Sequence, residues 1–282
     1  SKLSFNIERI ELKMEEIFDR LKILIGKEKL QSLHQKTVAI FGLGGVGSYV
    51  VEGLVRSGIG NFIIVDNDKV DITNINRQII ATTKTIGKYK VDVAEERIKE
   101  INPSAKVTKF AEFVSGESKL YSASNNEKDN SITLEKNFKE ELNEKLFKTI
   151  IDADYIVDAI DTVSSKIRII EFAKANNIPV ISALGTGNKL DPTKLKIADI
   201  YDTKICPLAK VMRKELKKRD ISNLDVVYSE EEPIKICDNE GESESSKENI
   251  DGKNVKKIGS TAFVPSVAGL LICYKIVSEF IK

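Results

Sequence analysis

Apolar residues in this chain alternate between short unbroken runs and helical spacing, which predicts strands and helices in turn. Thr37-Val38-Ala39-Ile40-Phe41 is a compact apolar run that ends at a glycine-rich turn, so it reads as a strand. A helical pattern from Val46 to Arg56 follows and stops at Ser57-Gly58-Ile59-Gly60. Phe62-Ile63-Ile64-Val65-Asp66 is then a second strand. Strand, glycine turn, helix and strand within about thirty residues make a βαβ unit with parallel strands and a right-handed crossover.

The alternation continues. Residues 88–101 read as a helix, and after Pro103 the run Lys106 to Phe110 returns to the sheet. Tyr155 to Asp161 reads as a strand with acidic residues at its carboxyl end, Lys166 to Ala175 as a helix, and Ile178 to Ile181 as a strand. Residues 5–25 place Phe5, Ile7, Ile10, Leu12, Ile17, Leu21 and Leu24 among charges, which predicts one or two amphipathic helices leading into the core. Val264 to Ile281, opening with Pro265, predicts a last helix on the sheet. The fold class is therefore α/β: a Rossmann-like, doubly wound, mainly parallel sheet with flanking helices and an additional C-terminal part.

Residues 115–133 and 238–254 break the rhythm. Both are rich in polar residues that cannot offset the entropy of ordering them, so both read as mobile surface insertions. The expected organisation is a helical segment over 1–35, a nucleotide-binding core over 36–203, and a C-terminal part over 204–282.

Composition narrows the class. Hydrophobic residues make up 41% of 282, in runs short and broken enough to supply a core but no bilayer span. With 44 basic and 43 acidic residues, any contact with nucleic acid must be regional. Cys206, Cys237 and Cys273 are widely spaced, suggest neither a disulfide framework nor a zinc clamp, and fit a reducing cytoplasm. The N-terminus lacks the apolar core of a secretory signal.

The chemistry gathers at strand ends. In Gly42-Leu43-Gly44-Gly45-Val46-Gly47, Gly42, Gly44, Gly45 and Gly47 let backbone N–H groups approach a phosphate at a helix N-terminus. Asp66 ends the second strand where a carboxylate accepts from ribose hydroxyls. A hydride-transfer enzyme has no need of the segment Asp71 to Gln78. Within it, Asn74 suits nucleotide oxygens and Arg77 offers a planar fork for phosphate, as attack on an α-phosphate requires. Lys90 adds a mobile cation, and Asp161 lies where open α/β sheets bind ligands and can hold Mg²⁺ directly or through water.

Together the glycine turn, Asp66, Asn74-Ile75-Asn76-Arg77-Gln78, Lys90 and Asp158-Ala159-Ile160-Asp161 resemble the motifs of the ubiquitin-activating-enzyme-like adenylyltransferase superfamily. Phe18-Asp19-Arg20, Gly185-Thr186-Gly187, Leu190-Asp191-Pro192-Thr193 and Pro207-Leu208-Ala209 are most similar to its branch that dehydrates threonylcarbamoyladenosine in tRNA. One departure is Cys206, where relatives more often carry an aspartate before the proline. The resemblance implies ATP-dependent cyclisation of the threonylcarbamoyl group by adenylation of its carboxylate. Arg77 and Lys90 would steady the phosphates, Asp161 would organise Mg²⁺, and Asp66 with Asn74 would hold the ribose. It also implies a homodimer in which Arg20 enters the partner's nucleotide site, with sulfur-transfer proteins as further possible partners. Two other readings stay open at this point: activation of the C-terminal glycine of a ubiquitin-like or sulfur-carrier protein, and a non-catalytic nucleotide-binding scaffold. An NAD oxidoreductase comes last.

Lys210, Arg213, Lys214, Lys217 and Lys218 recur at helical spacing after Pro207 and predict a basic face for RNA phosphates. The setting of Cys237, beside an acidic run, argues against a thioester role, since neighbouring carboxylates raise a thiol pKa. Cys206 and Cys273 read as structural, and His34, the lone histidine, has no evident catalytic partner.

Overall fold

The computed structural model describes residues 16–112, 114, 144–234, 247–250, 253–256 and 258–282. Helices α1 (Asp19–Ile25) and α2 (Lys27–Gln35) lead into β1 (Thr37–Phe41), α3 (Gly47–Arg56), β2 (Asn61–Val65), α4 (Lys90–Ile101) and β3 (Lys106–Phe110). A short helix α5 (residues 144–150) precedes β4 (Tyr155–Asp158), α6 (Val163–Ala175), β5 (Val180–Ala183) and β6 (Leu195–Asp199). Then come α7 (Pro207–Lys217), β7 (Asp225–Ser229), the hairpin β8 (Lys247–Ile250) and β9 (Lys253–Lys256), and α8 (Phe263–Phe280).

Seven strands form one sheet in the order β3-β2-β1-β4-β5-β7-β6, all parallel except β6. The order reverses between β1 and β4, and open α/β sheets bind ligands outside the strand ends at such a switch point. The sheet runs through the domain boundary expected at 203, because β7 inserts between β5 and β6. Strand β1 shows how the period-2 alternation divides the core. Val38 and Ile40 join the cluster under α3, α4 and α8, while Ala39 and Phe41 join the one under α5, α6 and α7.

The structure refines three expectations. The strand beginning at Tyr155 ends at Asp158, not Asp161, because the Asp158 carboxylate accepts the Ile160 N–H (3.2 Å) and turns the chain out of the sheet. At the end of the 238–254 insertion, 247–250 and 253–256 pair as a hairpin, while 238–246, 251–252, the 115–133 insertion and residues 1–15 lie outside the described residues.

The third correction concerns apolar length. Helix α8 is the one helix among the described residues long and apolar enough to cross a membrane (mean hydropathy 1.5). Its face of Val264, Ala268, Ile272 and Ile276 is buried in the core, and the Cys273 thiol donates to the Val50 carbonyl of α3 (3.3 Å). Burial pushes that thiol up to about 12, consistent with a packing role.

Candidate active site

A cleft of 910 Å³ opens along the carboxyl ends of β2, β1, β4 and β5. At its centre lies the glycine turn, whose residues carry different demands. Gly42 has φ +85°, and a Cβ there would sit 2.7 Å from the Ala159 carbonyl oxygen; a Cβ on Gly47 would meet the Gly42 carbonyl at 1.7 Å. Protein packing requires both glycines. Gly44 differs, since nothing lies within 4 Å of where its Cβ would stand and it lines the cleft, leaving room for a ligand against the backbone. Helix α3 begins there with no side-chain cap; its Ser48 and Tyr49 amides bond the Gly44 and Val46 carbonyls (3.1 and 3.0 Å), and the positive end of the helix faces the turn. Gly45 also lines the cleft, whereas Gly47 is held behind it.

Asp66 ties the end of β2 to this turn. Its carboxylate accepts from the Leu43 N–H (2.6 Å) and the Asp68 N–H (2.8 Å) while lining the cleft. Burial raises its pKa, opposed by Lys90 and by those two amides. Lys90 itself corrects the expectation of a mobile cation: as the first residue of α4 it is buried and bonded to Asp68 (2.7 Å), with Asp66 at 3.9 Å. The two aspartates hold the ammonium at the cleft wall.

The segment after Asp66 forms a 3₁₀ turn at Ile72–Asn74, closed by a capping box in which Asn74 accepts from Asp71 N–H (3.1 Å). That turn presents Arg77 half-buried on the cleft, its guanidinium donating to the Thr73 carbonyl (2.7 Å) and to Asn76 Oδ1 (3.0 Å). Asp161 is exposed on the opposite side, with Thr162 Oγ1 at 3.3 Å as its hydrogen-bond contact. An exposed carboxylate on the same cleft as the glycine turn has the chemistry Mg²⁺ takes, since that ion keeps most of its waters and binds one or two carboxylates plus phosphate oxygens.

Three features of the site escape sequence reasoning. Gln78 is buried at the cleft wall and its Oε1 has no partner. Beneath the floor, Lys166 is fully buried and donates to Asp158 (2.9 Å), Ser182 Oγ (3.2 Å) and the Ala183 carbonyl (2.8 Å). Ser182 Oγ donates to the same Asp158 oxygen (2.5 Å). This network locks together the ends of β4 and β5 from which Asp161 and Leu184 enter the cleft. Glu112, at the β3 end, has its pKa raised by burial against the pull of Lys145. Helical or strand periodicity registers none of these pairings, because it records which side is buried and not which polar partner waits there.

Other predicted residues lie elsewhere. Arg20 is exposed on α1 and does not line the cleft. On α7, Lys210, Lys214, Lys217 and Lys218 are exposed, but Arg213 departs from the expected RNA-facing row. Its guanidinium turns inward to the Thr203 carbonyl (3.1 Å) and hydroxyl, because the loop before α7 leaves those acceptors under its stem. His34 Nδ1 meets the Gly58 carbonyl at 2.7 Å and its ring packs edge-on to Phe18, a structural setting. Cys206 is buried, and Cys237 lies outside the described residues.

Comparison with known proteins agrees with this geometry. The tRNA threonylcarbamoyladenosine dehydratase of Bacillus subtilis is 39% identical over 94% of both chains. That of Haemophilus influenzae is 33% identical over 95% of this chain and 94% of its own. The crystal structure of Escherichia coli tRNA N6-threonylcarbamoyladenosine dehydratase, TcdA, in complex with AMP superposes with a TM-score of 0.73 at 26% identity, covering 94% of each chain. A second structure of that protein holds ATP. The ThiF family model matches residues 18–277, and the chain belongs to the ThiF family.

Proposed function

We propose that this chain is an ATP-dependent tRNA threonylcarbamoyladenosine dehydratase that works by adenylating the substrate carboxylate. The observation that carries the reading is the single cleft on which Gly44, Asp66, Asn74, Arg77, Lys90 and Asp161 converge. The similarity to dehydratases over nearly the full chain supports the substrate class.

The turn amides and the start of α3 receive the phosphates, and Asp66 with Asn74 orients the sugar. A carboxylate oxygen of the threonylcarbamoyl group attacks the α-phosphorus and pyrophosphate leaves, while Arg77 and Lys90 meet the growing negative charge. Mg²⁺, held at Asp161, would supply further charge neutralisation at the phosphates. A nucleophilic atom of the same threonylcarbamoyladenosine then attacks the acyl-adenylate carbonyl. AMP departs with the former carboxylate oxygen, a proton is released, and the nucleoside is one water lighter.

Lys210, Lys214, Lys217 and Lys218 offer phosphate contacts for tRNA on the face of α7, and their binding weakens with salt. The site of action is the cytoplasm, where tRNA and ATP are both present. The test is direct: with ATP and Mg²⁺, purified protein consumes ATP only when given tRNA bearing threonylcarbamoyladenosine, and mass spectrometry finds that nucleoside lighter by one water. An unchanged nucleoside mass over folded protein overturns the dehydratase assignment. ATP turnover stimulated instead by a carrier protein's C-terminal glycine would favour the protein-activating chemistry of ThiF relatives.

Arg20, exposed on α1 and outside its own cleft, is proposed to act across a homodimer. Mixing Arg20→Ala subunits with Asp161→Ala subunits then restores part of the activity. Absence of any recovery places Arg20 outside the partner's site.

A further inference from the structure

Arg77 is held through one of its nitrogens. Nη1 donates to the Thr73 carbonyl (2.7 Å) and to Asn76 Oδ1 (3.0 Å), while Nη2 and Nε have no hydrogen bond among the described residues and stay free for a phosphate. Asn76 is exposed and does not line the cleft, yet both ends of its amide are committed. Oδ1 accepts from Arg77, and Nδ2 donates to the Ser260 carbonyl (3.0 Å), 184 residues later in the chain. The exchanged orientation would set a donor against Arg77 and an acceptor against a carbonyl, so the two bonds enforce each other.

Ser260 lies in a segment that is itself tied across the cleft. The Asn188 N–H donates to the Gly259 carbonyl (2.8 Å) and the Gly259 N–H donates to Asn188 Oδ1 (2.6 Å), a two-point clasp. Asn188 makes it from φ +56°, a conformation asparagine adopts more readily than most residues. After Ser260, Thr261 Oγ1 accepts from the Val264 N–H (3.2 Å) at the start of α8, and Pro265 packs against Gly45, where a Cβ would stand 3.1 Å away. Ser260 is thus fixed from both sides. Asn188 follows β5 and Asn76 follows β2, with β1 and β4 between them in the sheet. The clasp, Ser260 and Asn76 therefore form a continuous line of bonds from the β5 side of the cleft to the guanidinium on the β2 side.

We propose that Asn76 is a positioning residue for Arg77 and takes its own position from Ser260, so that Asn188 sets the aim of a guanidinium it does not touch. This tether deepens the adenylating reading above and rests on the role given there to Arg77. Its physical value is preorganisation, since a donor already in place when charge develops stabilises it without first having to be ordered. The turn that carries Arg77 is exposed at Ile72, Thr73 and Ile75, and Ser260 supplies the fixed point that the turn itself lacks.

Asn76→Ala removes both amide bonds, whereas Asn188→Gly removes only the side-chain half of the clasp and eases the positive φ. The kcat for dehydration is expected to fall about tenfold in Asn76→Ala and about fivefold in Asn188→Gly, with the KM for ATP within about twofold of the parent, because a misaimed Arg77 costs the transition state most. The deciding comparison is a pair of double-mutant cycles. In an Arg77→Ala background Asn76→Ala should cost less than about twofold, and in an Asn76→Ala background Asn188→Gly should likewise cost less than about twofold. A merely structural role would lower each background by the same factor as the parent. Additivity in either cycle overturns the tether, as does an unchanged kcat in Asn76→Ala.

A turnover-free readout separates this proposal from the dehydratase reading. In isotopically labelled protein without nucleotide, the Arg77 Nε–H signal, assigned by its loss in Arg77→Ala, reports side-chain motion through its NMR order parameter. That order parameter is expected to fall in Asn76→Ala and by a smaller amount in Asn188→Gly. If it does so while tRNA is left unmodified, the tether stands and the dehydratase assignment falls. If tRNA is dehydrated while the order parameter is the same in parent and both variants, the tether falls and the assignment stands.

Discussion

Arg77→Ala is expected to lower kcat by about 10²- to 10³-fold, the loss typical of removing one donor from a preorganised oxyanion site, and Asp161→Ala to reduce turnover at least as far. The two side chains line the same cleft from either side of β1, which lies between β2 and β4 in the sheet. Neither holds the fold together. Asp161 is exposed with one hydroxyl contact at 3.3 Å, and Arg77 bonds only to Thr73 and Asn76 of its own turn. Circular dichroism and melting temperature should therefore match the parent, and steady-state assays with saturating ATP should show the fall in kcat. A near-normal rate for either variant removes that residue from the chemistry. For Asp161, the loss should be accompanied by a higher Mg²⁺ requirement, because the carboxylate acts through the metal in the proposed mechanism.

Lys166→Met is expected to cost about 3–5 kcal/mol of stability, because it leaves the Asp158 carboxylate buried without a counterion. The geometry makes this cost larger than for any surface pair of the molecule. Both side chains have no exposure, and one ammonium serves a carboxylate, a hydroxyl and a carbonyl on three different residues. Urea denaturation measures it as a shift in midpoint at unchanged slope. Replacing the charge partner as well, in Lys166→Met with Asp158→Asn, should recover part of the loss, since an amide is far cheaper to bury than an unpaired carboxylate. A loss of about 1 kcal/mol or less, the range of exposed ion pairs, would show that the network does not bear on the fold. Lys166→Arg provides a further comparison: it keeps the charge but not the compact fit, and it should fall between the parent and the methionine variant.

Much of the site was legible in the chain because nucleotide recognition relies on local features. The glycine turn, the strand-end Asp66 and the Asp71 to Gln78 segment each work within a few residues, so their spacing alone places them at one edge of a parallel sheet. Lys90 shows where such reading stops. Its position at the start of a helix was evident, but its immobility was not, because the aspartates that hold it, Asp68 and Asp66, lie 22 and 24 residues earlier in the chain. Arg213 fits the basic period of α7 and yet bends inward, since helical spacing cannot show that Thr203 lies beneath it. Gln78 stands in a quoted motif, but only the fold reveals a buried amide oxygen without a partner.

Sequence alone specified the first five strands and the helices α3, α4, α6, α7 and α8, the βαβ turn and the residue types gathered at the carboxyl ends of those strands, but not β6, β7 or the hairpin. Hydrophobic period and glycine placement encode these locally. Tertiary structure alone decided which buried charges are paired. Lys166 meets Ser182 because α6 packs on β5, and Lys189 meets Ser229 because β7 lies beside β5, although 16 and 40 residues separate the partners. The cost of an unpaired charge in a low-dielectric interior depends on those distant neighbours. The pairing of Lys166 with Asp158 under the floor is therefore written in the packing of the sheet.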